Sequence, residues 1–158
     1  MHPNIGITAE SRQAVATTLN ALLADEYLLY TKTRNHHWNV VGPQFNDLHK
    51  FFEAQYEALD DVVDEVAERV RTVGGHALGT LAELSKHARL TERPGQYPDA
   101  RGMLADLLRD HEALVRQLRT DLAVVLDKHG DAGTSDFLTG LMEKHEKMAW
   151  MLRAFQAG

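Results

Sequence analysis

The segment between the Gly42-Pro43 pair and the Gly74-Gly75 pair most constrains how this chain can fold. Gly and Pro interrupt helices, and Pro suits the first helical position, so this pattern predicts one helix from about Pro43 to Gly74. Apolar residues recur along it at the spacing of one helical face, namely Phe45, Leu48, Phe52, Leu59, Val63, Val66 and Val70. A long helix with one apolar face requires other helices to cover that face.

Three further long segments have the same helical periodicity. The first is capped by Thr8 and runs to about Asn39, the next runs from about Asp99 to Gly130, and the last follows a turn at residues 129–136. Their apolar faces are formed by Val15, Leu19, Leu22, Leu23 and Tyr30, then by Leu104, Leu107, Leu114, Leu118, Leu122 and Val125, and finally by Phe137, Leu141, Met148, Leu152 and Phe155.

The connection between the second and third long helices is unusually long. A short helix is expected within it, from Leu78 to His87, before Pro94, Gly95 and Pro98 close it. A connection of this length can cross a bundle and return the chain parallel to the helix it left. With negligible strand signal, the sequence predicts an all-α four-helix bundle with a short extra helix in the crossover between helices two and three.

Composition narrows the class of protein. The chain has 158 residues, 44% of them apolar, and no break in composition, which favours one domain over residues 1–158. It has no cysteine, which excludes disulfides and thiolate zinc sites and fits a reducing compartment. With no basic leader and no apolar run long enough for a membrane span, we expect a soluble protein in the cytoplasm.

Two histidines and three acids have spacings that indicate one metal site. His49, Glu53, Asp64 and Glu68 fall within an arc of about 100° on the second helix, on a face turned away from its apolar stripe. At about 1.5 Å per residue, Glu53 and Asp64 stand roughly 16 Å apart, whereas two-metal sites span only about 4 Å. Antiparallel copies of this helix about a two-fold axis would place His49 and Glu53 of one chain opposite Asp64 and Glu68 of the other. His37, on the first helix stripe, approaches the same site, so the sequence predicts a metal site shared between two subunits.

Simpler interpretations of these residues remain open. An acid-rich outer face is most often solvated surface, and His49 with Glu53 is an ordinary i, i+4 pair. His37 could equally be a core histidine bonded to a polar neighbour. His36 is one position off the apolar stripe and is interpreted as surface, whereas His111 and His145 lie on apolar stripes and are interpreted as structural.

The segment from His37 onward carries a long motif. It reads H-W-N-V-x-G-x-x-F-x-x-L-H-x-x-F-E-x-x-Y, followed by D-x-x-x-E-R. This motif, with the order of elements and the length of the chain, resembles the Dps family of mini-ferritins. The resemblance implies a ferritin-like four-helix bundle, a hollow dodecamer, and a ferroxidase site at the two-fold interface. Its metal ligands match by type at His37, His49, Glu53, Asp64 and Glu68, although many members have Asp where this chain has Glu53.

The resemblance also implies an activity. Fe(II) would be oxidised, preferentially by hydrogen peroxide, and stored as ferric mineral in the cavity, which protects against oxidative damage. Imidazole and carboxylate ligands without thiolate suit Fe(II), with Zn(II) and Mn(II) as competitors. Trp38, beside His37, either intercepts stray oxidising equivalents or is a core aromatic residue. Asp131 and Asp136 either line an iron pore by analogy or cap a helix.

Two other functions compete with iron oxidation. A nucleoid protein would coat DNA, but 17 basic against 23 acidic residues give a net charge of −6, and residues 1–31 contain one basic residue, Arg12. Tail-mediated DNA binding is therefore not expected. A metal-free helical adaptor would leave the ligand face unused. The Glu-x-x-His pairs that larger di-iron bundles place inside one core are absent from this sequence.

Overall fold

The computed structural model describes residues 3–156 of the chain. Its helices are α1 (Ala9–Asn39), α2 (Phe45–Thr72), α3 (Leu81–His87), α4 (Ala100–His129) and α5 (Ala132–Gln156). No strand occurs in the described residues, so the predicted all-α class with a short helix in the crossover is confirmed. None of these helices combines the length and apolar character needed to cross a membrane.

Local chemistry explains where the helices begin and end. The Thr8 hydroxyl accepts a hydrogen bond from the Ser11 amide, and the Asp99 carboxylate accepts one from the Gly102 amide at 2.8 Å, which caps α1 and α4 as predicted. The last turn of α4 closes at Gly130, whose φ of 65° is the left-handed conformation that glycine adopts without steric cost. Thr80 and Glu83 form a reciprocal capping box that starts α3.

The bundle is built from α1, α2, α4 and α5. The most extensive contacts join α1 to α2 and α4 to α5, and α1 also packs against α4 and α3. Most residues of the predicted apolar faces are buried in one core. Phe45, at the first position of α2, and Phe155, near the end of α5, are exceptions at 46% and 37% exposed.

The crossover is fixed by one buried carboxylate. Asp25 on α1 accepts hydrogen bonds from the backbone amides of Arg89 and Leu90 and from the Arg89 guanidinium at 2.7 Å. Arg89 also binds Asp121 on α4 at 2.9 Å, and the Lys32 ammonium donates to the Thr91 carbonyl. These contacts hold the segment that follows α3, residues 88–99, against α1 and α4. We call this segment the strap.

Candidate metal centre

The turn between α1 and α2 brings His37 and His49 face to face. Their ring centroids are 3.8 Å apart and the ring planes differ by 21°. Each Nδ1 lies within hydrogen-bonding distance of the other residue's main-chain oxygen, at 2.8 and 2.9 Å. Because a carbonyl oxygen can only accept, each Nδ1 carries the proton, and each neutral ring keeps its lone pair on Nε2. This is the tautomer that imidazole uses when it binds a metal through Nε2.

Aromatic rings hold the histidine pair in place. Phe45 stacks on His49 with centroids 5.1 Å apart, and Tyr56 meets His37 edge-on at 5.2 Å. The side chain of His37 is buried, as the sequence predicted, and that of His49 is half-buried. The rings therefore have little freedom to rotate, and their Nε2 atoms are held in fixed orientations.

The three acids are spread along the rest of α2. Glu53 is half-buried one turn after His49, whereas Asp64 and Glu68 are exposed. At about 1.5 Å of rise per residue, Asp64 stands roughly 16 Å beyond Glu53. Within residues 3–156, no three His, Cys, Asp or Glu side chains are grouped so that they could hold a metal ion. One chain thus joins His37 to His49 but leaves Asp64 and Glu68 apart and open to solvent.

Trp38 projects from the end of α1 with 65% of its surface exposed. The alternative in which Trp38 is a core aromatic residue is therefore wrong, and its interception of oxidising equivalents stays a prediction. The Arg34 guanidinium carbon lies 5.4 Å from the Trp38 ring centre and also contacts the rings of Tyr30 and Tyr56, at 5.8 and 5.2 Å. The histidine pair is thus bordered by a group of oxidisable aromatic rings around one cation.

Comparison with known proteins agrees with this architecture. The Ferritin-like domain family matches residues 16–157. DNA protection during starvation protein 2 of Bacillus anthracis is 37% identical, over 89% of this chain and 95% of its own length. The chain belongs to the Dps family. An uncharacterized low temperature-induced protein of Nostoc is 52% identical, over 98% of this chain and 87% of its own length.

A solved Dps structure supports the same assignment. The Dps protein of Vibrio cholerae superposes with a TM-score of 0.91 at 32% identity, over 98% of this chain and 96% of that one. That protein is described as a member of the ferritin-like diiron-carboxylate superfamily. Fold and family membership are therefore established for this Dps chain.

His36 was predicted to be a surface residue, and this prediction is wrong. It is 5% exposed, because one residue along a helix turns the side chain by about 100°, so that His37 faces α2 while His36 faces α4. Its Nε2 lies 3.5 Å from an Asp106 carboxylate oxygen. Burial lowers the pKa of His36, and the negative charge of Asp106 opposes that shift. The ring borders a cavity of about 750 Å³ beneath the crossover.

The Dps chain holds a second pair of histidines inside its core. His111 and His145 are fully buried, as their stripe positions predicted, with their Nδ1 atoms 2.9 Å apart. His145 Nε2 lies 2.8 Å from the carboxylate of Glu26, which is also fully buried. Burial lowers the pKa of His111 well below 6.5, and the neighbouring His145 lowers it further. Sequence analysis missed Glu26 as their partner, although it falls on the same stripe of α1 as Tyr30.

Asp131 caps the N-terminus of α5. Its buried carboxylate accepts a hydrogen bond from the Thr134 amide at 2.9 Å and lies 3.4 Å from the Arg69 guanidinium. The capping interpretation of Asp131 is therefore confirmed, and Arg69 ties α2 to the start of α5. Asp136 is exposed on the first turns of α5, so its part in a pore stays a prediction.

Proposed function

We propose that this protein is a ferroxidase and an iron store. Two copies would meet across a two-fold axis and bind Fe(II) between them, and a dodecameric cage of such pairs would hold the ferric mineral. The observation that carries the proposal is the reciprocal bonding of His37 and His49. It leaves two preoriented Nε2 lone pairs, Glu53 follows His49 by one turn of α2, and Asp64 and Glu68 stay exposed on the same helix.

The ligands divide between the two subunits in this proposal. His37, His49 and Glu53 come from one subunit, and Asp64 and Glu68 come from the other. Imidazole and carboxylate donors suit Fe(II), and Zn(II) competes for the same set. Negative ligands stabilise Fe(III) over Fe(II) and therefore favour oxidation, and a carboxylate would be shared by the two ions if two irons bound together.

Hydrogen peroxide is the preferred oxidant in this proposal. Two Fe(II) ions each lose one electron, and peroxide takes both electrons with two protons to give two molecules of water. Paired transfer avoids the one-electron route that converts peroxide into a hydroxyl radical. Trp38 stands beside the ligand His37 and intercepts oxidising equivalents that escape pairing.

Several relatives are named for protection of DNA. We propose that this cytoplasmic protein protects DNA by consuming Fe(II) and peroxide rather than by coating the duplex. Its net charge of −6 repels phosphate, and Arg12 is the one basic residue among residues 1–31. Contact with the nucleoid would therefore be indirect.

The first experiment removes a ligand from each side of the proposed site. His49→Ala combined with Asp64→Ala should abolish rapid peroxide-dependent Fe(II) oxidation, followed by stopped-flow absorbance of the ferric product. The matched control is His87→Ala with Asp127→Ala, two exposed residues outside α2. Rates in the ligand variant equal to those of this control would reject the assignment.

Mixing subunits tests whether the site is shared. Subunits carrying His49→Ala and subunits carrying Asp64→Ala are each expected to be inactive alone. After unfolding and joint refolding, a fraction of the pairs would combine one intact half-site from each subunit, so oxidation should partly return. If every chain builds its own site, the mixture stays as inactive as either variant.

A further inference from the structure

A cavity of about 750 Å³ lies between the strap and the two helices that the strap crosses. The strap lines it from Glu92 to Pro98, α1 contributes residues 31, 32, 35 and 36, and α4 contributes residues between Gly102 and Arg109. Binding sites for small molecules are commonly clefts of about 300–1,000 Å³. The five candidate metal ligands lie outside this lining, so the proposed ferroxidase site does not use it. We call this space the crossover cavity.

The floor of the crossover cavity is held by paired charges. The Lys32 ammonium is 8% exposed, and it donates to the Thr91 carbonyl at 2.9 Å and to Oδ2 of Asp110. The Arg109 guanidinium donates to Oδ1 of Asp110 at 3.1 Å and to Oδ1 of Asp106. Both oxygens of Asp110 therefore have a donor, whereas Oδ2 of Asp106 has no short contact. Lys32 in turn keeps a third N–H.

The imidazole of His36 faces the same carboxylate oxygen. Its side chain is 6% exposed, and its Nε2 has no hydrogen-bond partner within residues 3–156. Oδ2 of Asp106 lies 3.5 Å from His36 Nε2 and 3.7 Å from Lys32 Nζ. Because N–H···O bonds measure about 2.7–3.2 Å, both separations are too long for a good direct bond. Two nitrogen donors thus surround one oxygen acceptor at a distance that leaves room for a small group between them.

A hydroxyl group matches these three atoms in number and in kind. It has one O–H donor and two acceptor lone pairs. The donor suits Oδ2 of Asp106, and the two lone pairs suit the N–H groups of Lys32 and His36. An ammonium group only donates, so it would oppose Lys32. A carboxylate only accepts, so it would oppose Asp106. The floor therefore selects a group that donates and accepts through one atom.

We propose that the crossover cavity binds a hydroxyl-rich small molecule, a sugar or a cyclic polyol, and that Lys32, His36 and Asp106 together bind one of its hydroxyl groups. This site is separate from the proposed ferroxidase function and needs no metal. A bound sugar would connect the strap to α1 and α4, because it would contact all three.

The rest of the lining favours a molecule with several hydroxyl groups. The amides of Asn35 and Gln96 both donate and accept hydrogen bonds, and Glu92 and Arg93 add an acceptor and a set of donors. Tyr97 also lines the cavity and is 67% exposed. The C–H face of a sugar ring can pack against that ring and leave water. A hydrocarbon ligand would instead leave the polar groups of the wall unpaired.

The first test measures binding to the assembled, iron-free protein. Saturation-transfer-difference NMR with D-glucose, trehalose and myo-inositol as probes should show transfer to at least one of them. Sodium acetate and methylammonium chloride at the same concentration should not displace the bound probe. Transfer to none of the three probes would mean that the floor binds only water and would overturn the proposal. Displacement by acetate or methylammonium would contradict the match to a hydroxyl group.

Variants on two sides of the cavity locate the bound probe. His36→Leu removes the imidazole donor, and we expect affinity to fall by about tenfold or more. His87→Leu, an exposed substitution on α3, should leave affinity unchanged. Tyr97→Ala changes an exposed residue of the strap and should also weaken binding, whereas Leu126→Ala, an exposed substitution on α4, should not. Circular dichroism checks that His36→Leu is folded, and Tyr97→Ala carries the test if it is not. Unaltered affinity in Tyr97→Ala and in folded His36→Leu would overturn the proposal.

A third test identifies the hydroxyl that the floor binds. Among the monodeoxy analogues of the bound sugar, one should bind about tenfold or more weakly, because its absence leaves the three floor groups unpaired. That penalty should shrink in His36→Leu, since the hydroxyl and the imidazole contribute to one interaction. Equal binding of every deoxy analogue, or an undiminished penalty in His36→Leu, would refute the role given to the floor. All of these affinities are measured without iron, so they stand or fall separately from ferroxidase activity.

Discussion

Two pairs of histidines in this chain show how single hydrogen bonds decide what an imidazole can do. His37 and His49 donate from Nδ1 to main-chain carbonyls and keep their Nε2 lone pairs for a ligand. His111 and His145 bond to each other in the core, and Glu26 completes that chain of contacts. The second pair instead bonds buried polar groups to one another where the bundle excludes water, and it leaves His111 Nε2 and Glu26 Oε2 without a partner among the described residues.

The buried pair makes folding sensitive to acid. Burial lowers the pKa of His111, so the unfolded chain binds more protons than the native one below the unfolded pKa of about 6.5. The contribution of His111 to the free energy of unfolding is therefore complete above that pH. It falls as the pH drops toward the lower folded pKa, by up to about 1.4 kcal/mol per pH unit. Urea unfolding at about pH 7 and about pH 5 should show this slope.

A matched pair of variants isolates the contribution of His111. His111→Gln keeps a polar side chain but removes the titrating ring, so stability should depend less on pH over the same interval. His87→Gln changes an exposed histidine and should leave the slope unaltered. The prediction is contradicted if both variants lose stability with acid as steeply as the unmodified protein does.

At the scale of elements, the crossover depends on a contact that is far away in sequence. The strap after α3 forms no helix over residues 88–99, and Asp25 on α1 holds it through two backbone amides and the Arg89 guanidinium. Its position therefore follows from hydrogen bonds to a buried carboxylate rather than from helical propensity.

Removing that carboxylate should weaken the whole bundle. Asp25→Ala leaves two amides and Arg89 without their acceptor, and we expect a loss of about 3 kcal/mol in the free energy of unfolding. Amide hydrogen exchange should also become faster at residues 88–91. Asp127→Ala, an exposed substitution on α4, should cost no more than about 0.5 kcal/mol. A comparable loss in both variants would mean that Asp25 does not anchor the strap.

At the scale of the whole molecule, the candidate ligands do not come together within one subunit over residues 3–156. The Nε2 atoms of His37 and His49 stand at one end of α2, and the exposed Asp64 and Glu68 stand much farther along it. If two subunits complete the site, oxidation depends on assembly. Dilution to concentrations at which monomers predominate in sedimentation should abolish rapid Fe(II) oxidation, and reconcentration should restore it. Activity proportional to monomer concentration throughout would contradict a shared site.

The charge of the whole molecule predicts its behaviour with DNA. Because the chain carries a net charge of −6, the assembled protein should cause no mobility shift of duplex DNA even at low salt. As a control for detection, the same gel should include a basic DNA-binding protein. A shift that weakens steeply as salt rises would show electrostatic binding and would favour the nucleoid function.

Much of this protein could be predicted from one sequence because its signals are local. The helices were determined by caps such as Thr8 and Asp99, by breakers such as Gly130, and by the spacing of apolar residues. The long motif identified the family. The candidate ligands His49, Glu53, Asp64 and Glu68 followed from their spacing on one helix, and His37 followed from the stripe of the first helix. The motif named the same five residues, and their joint role stays a prediction.

Other features were decided only by the tertiary structure. Which helix covers a given position decided that His36 is buried and that Trp38 is exposed. It also decided that Glu26 is hydrogen-bonded to His145. Helical periodicity defines the faces of a helix, but it does not say which of those faces will be covered. The sequence by itself determined the helices and their apolar stripes, because these depend on neighbours within a few turns, whereas only packing between helices decided the partners of each polar side chain.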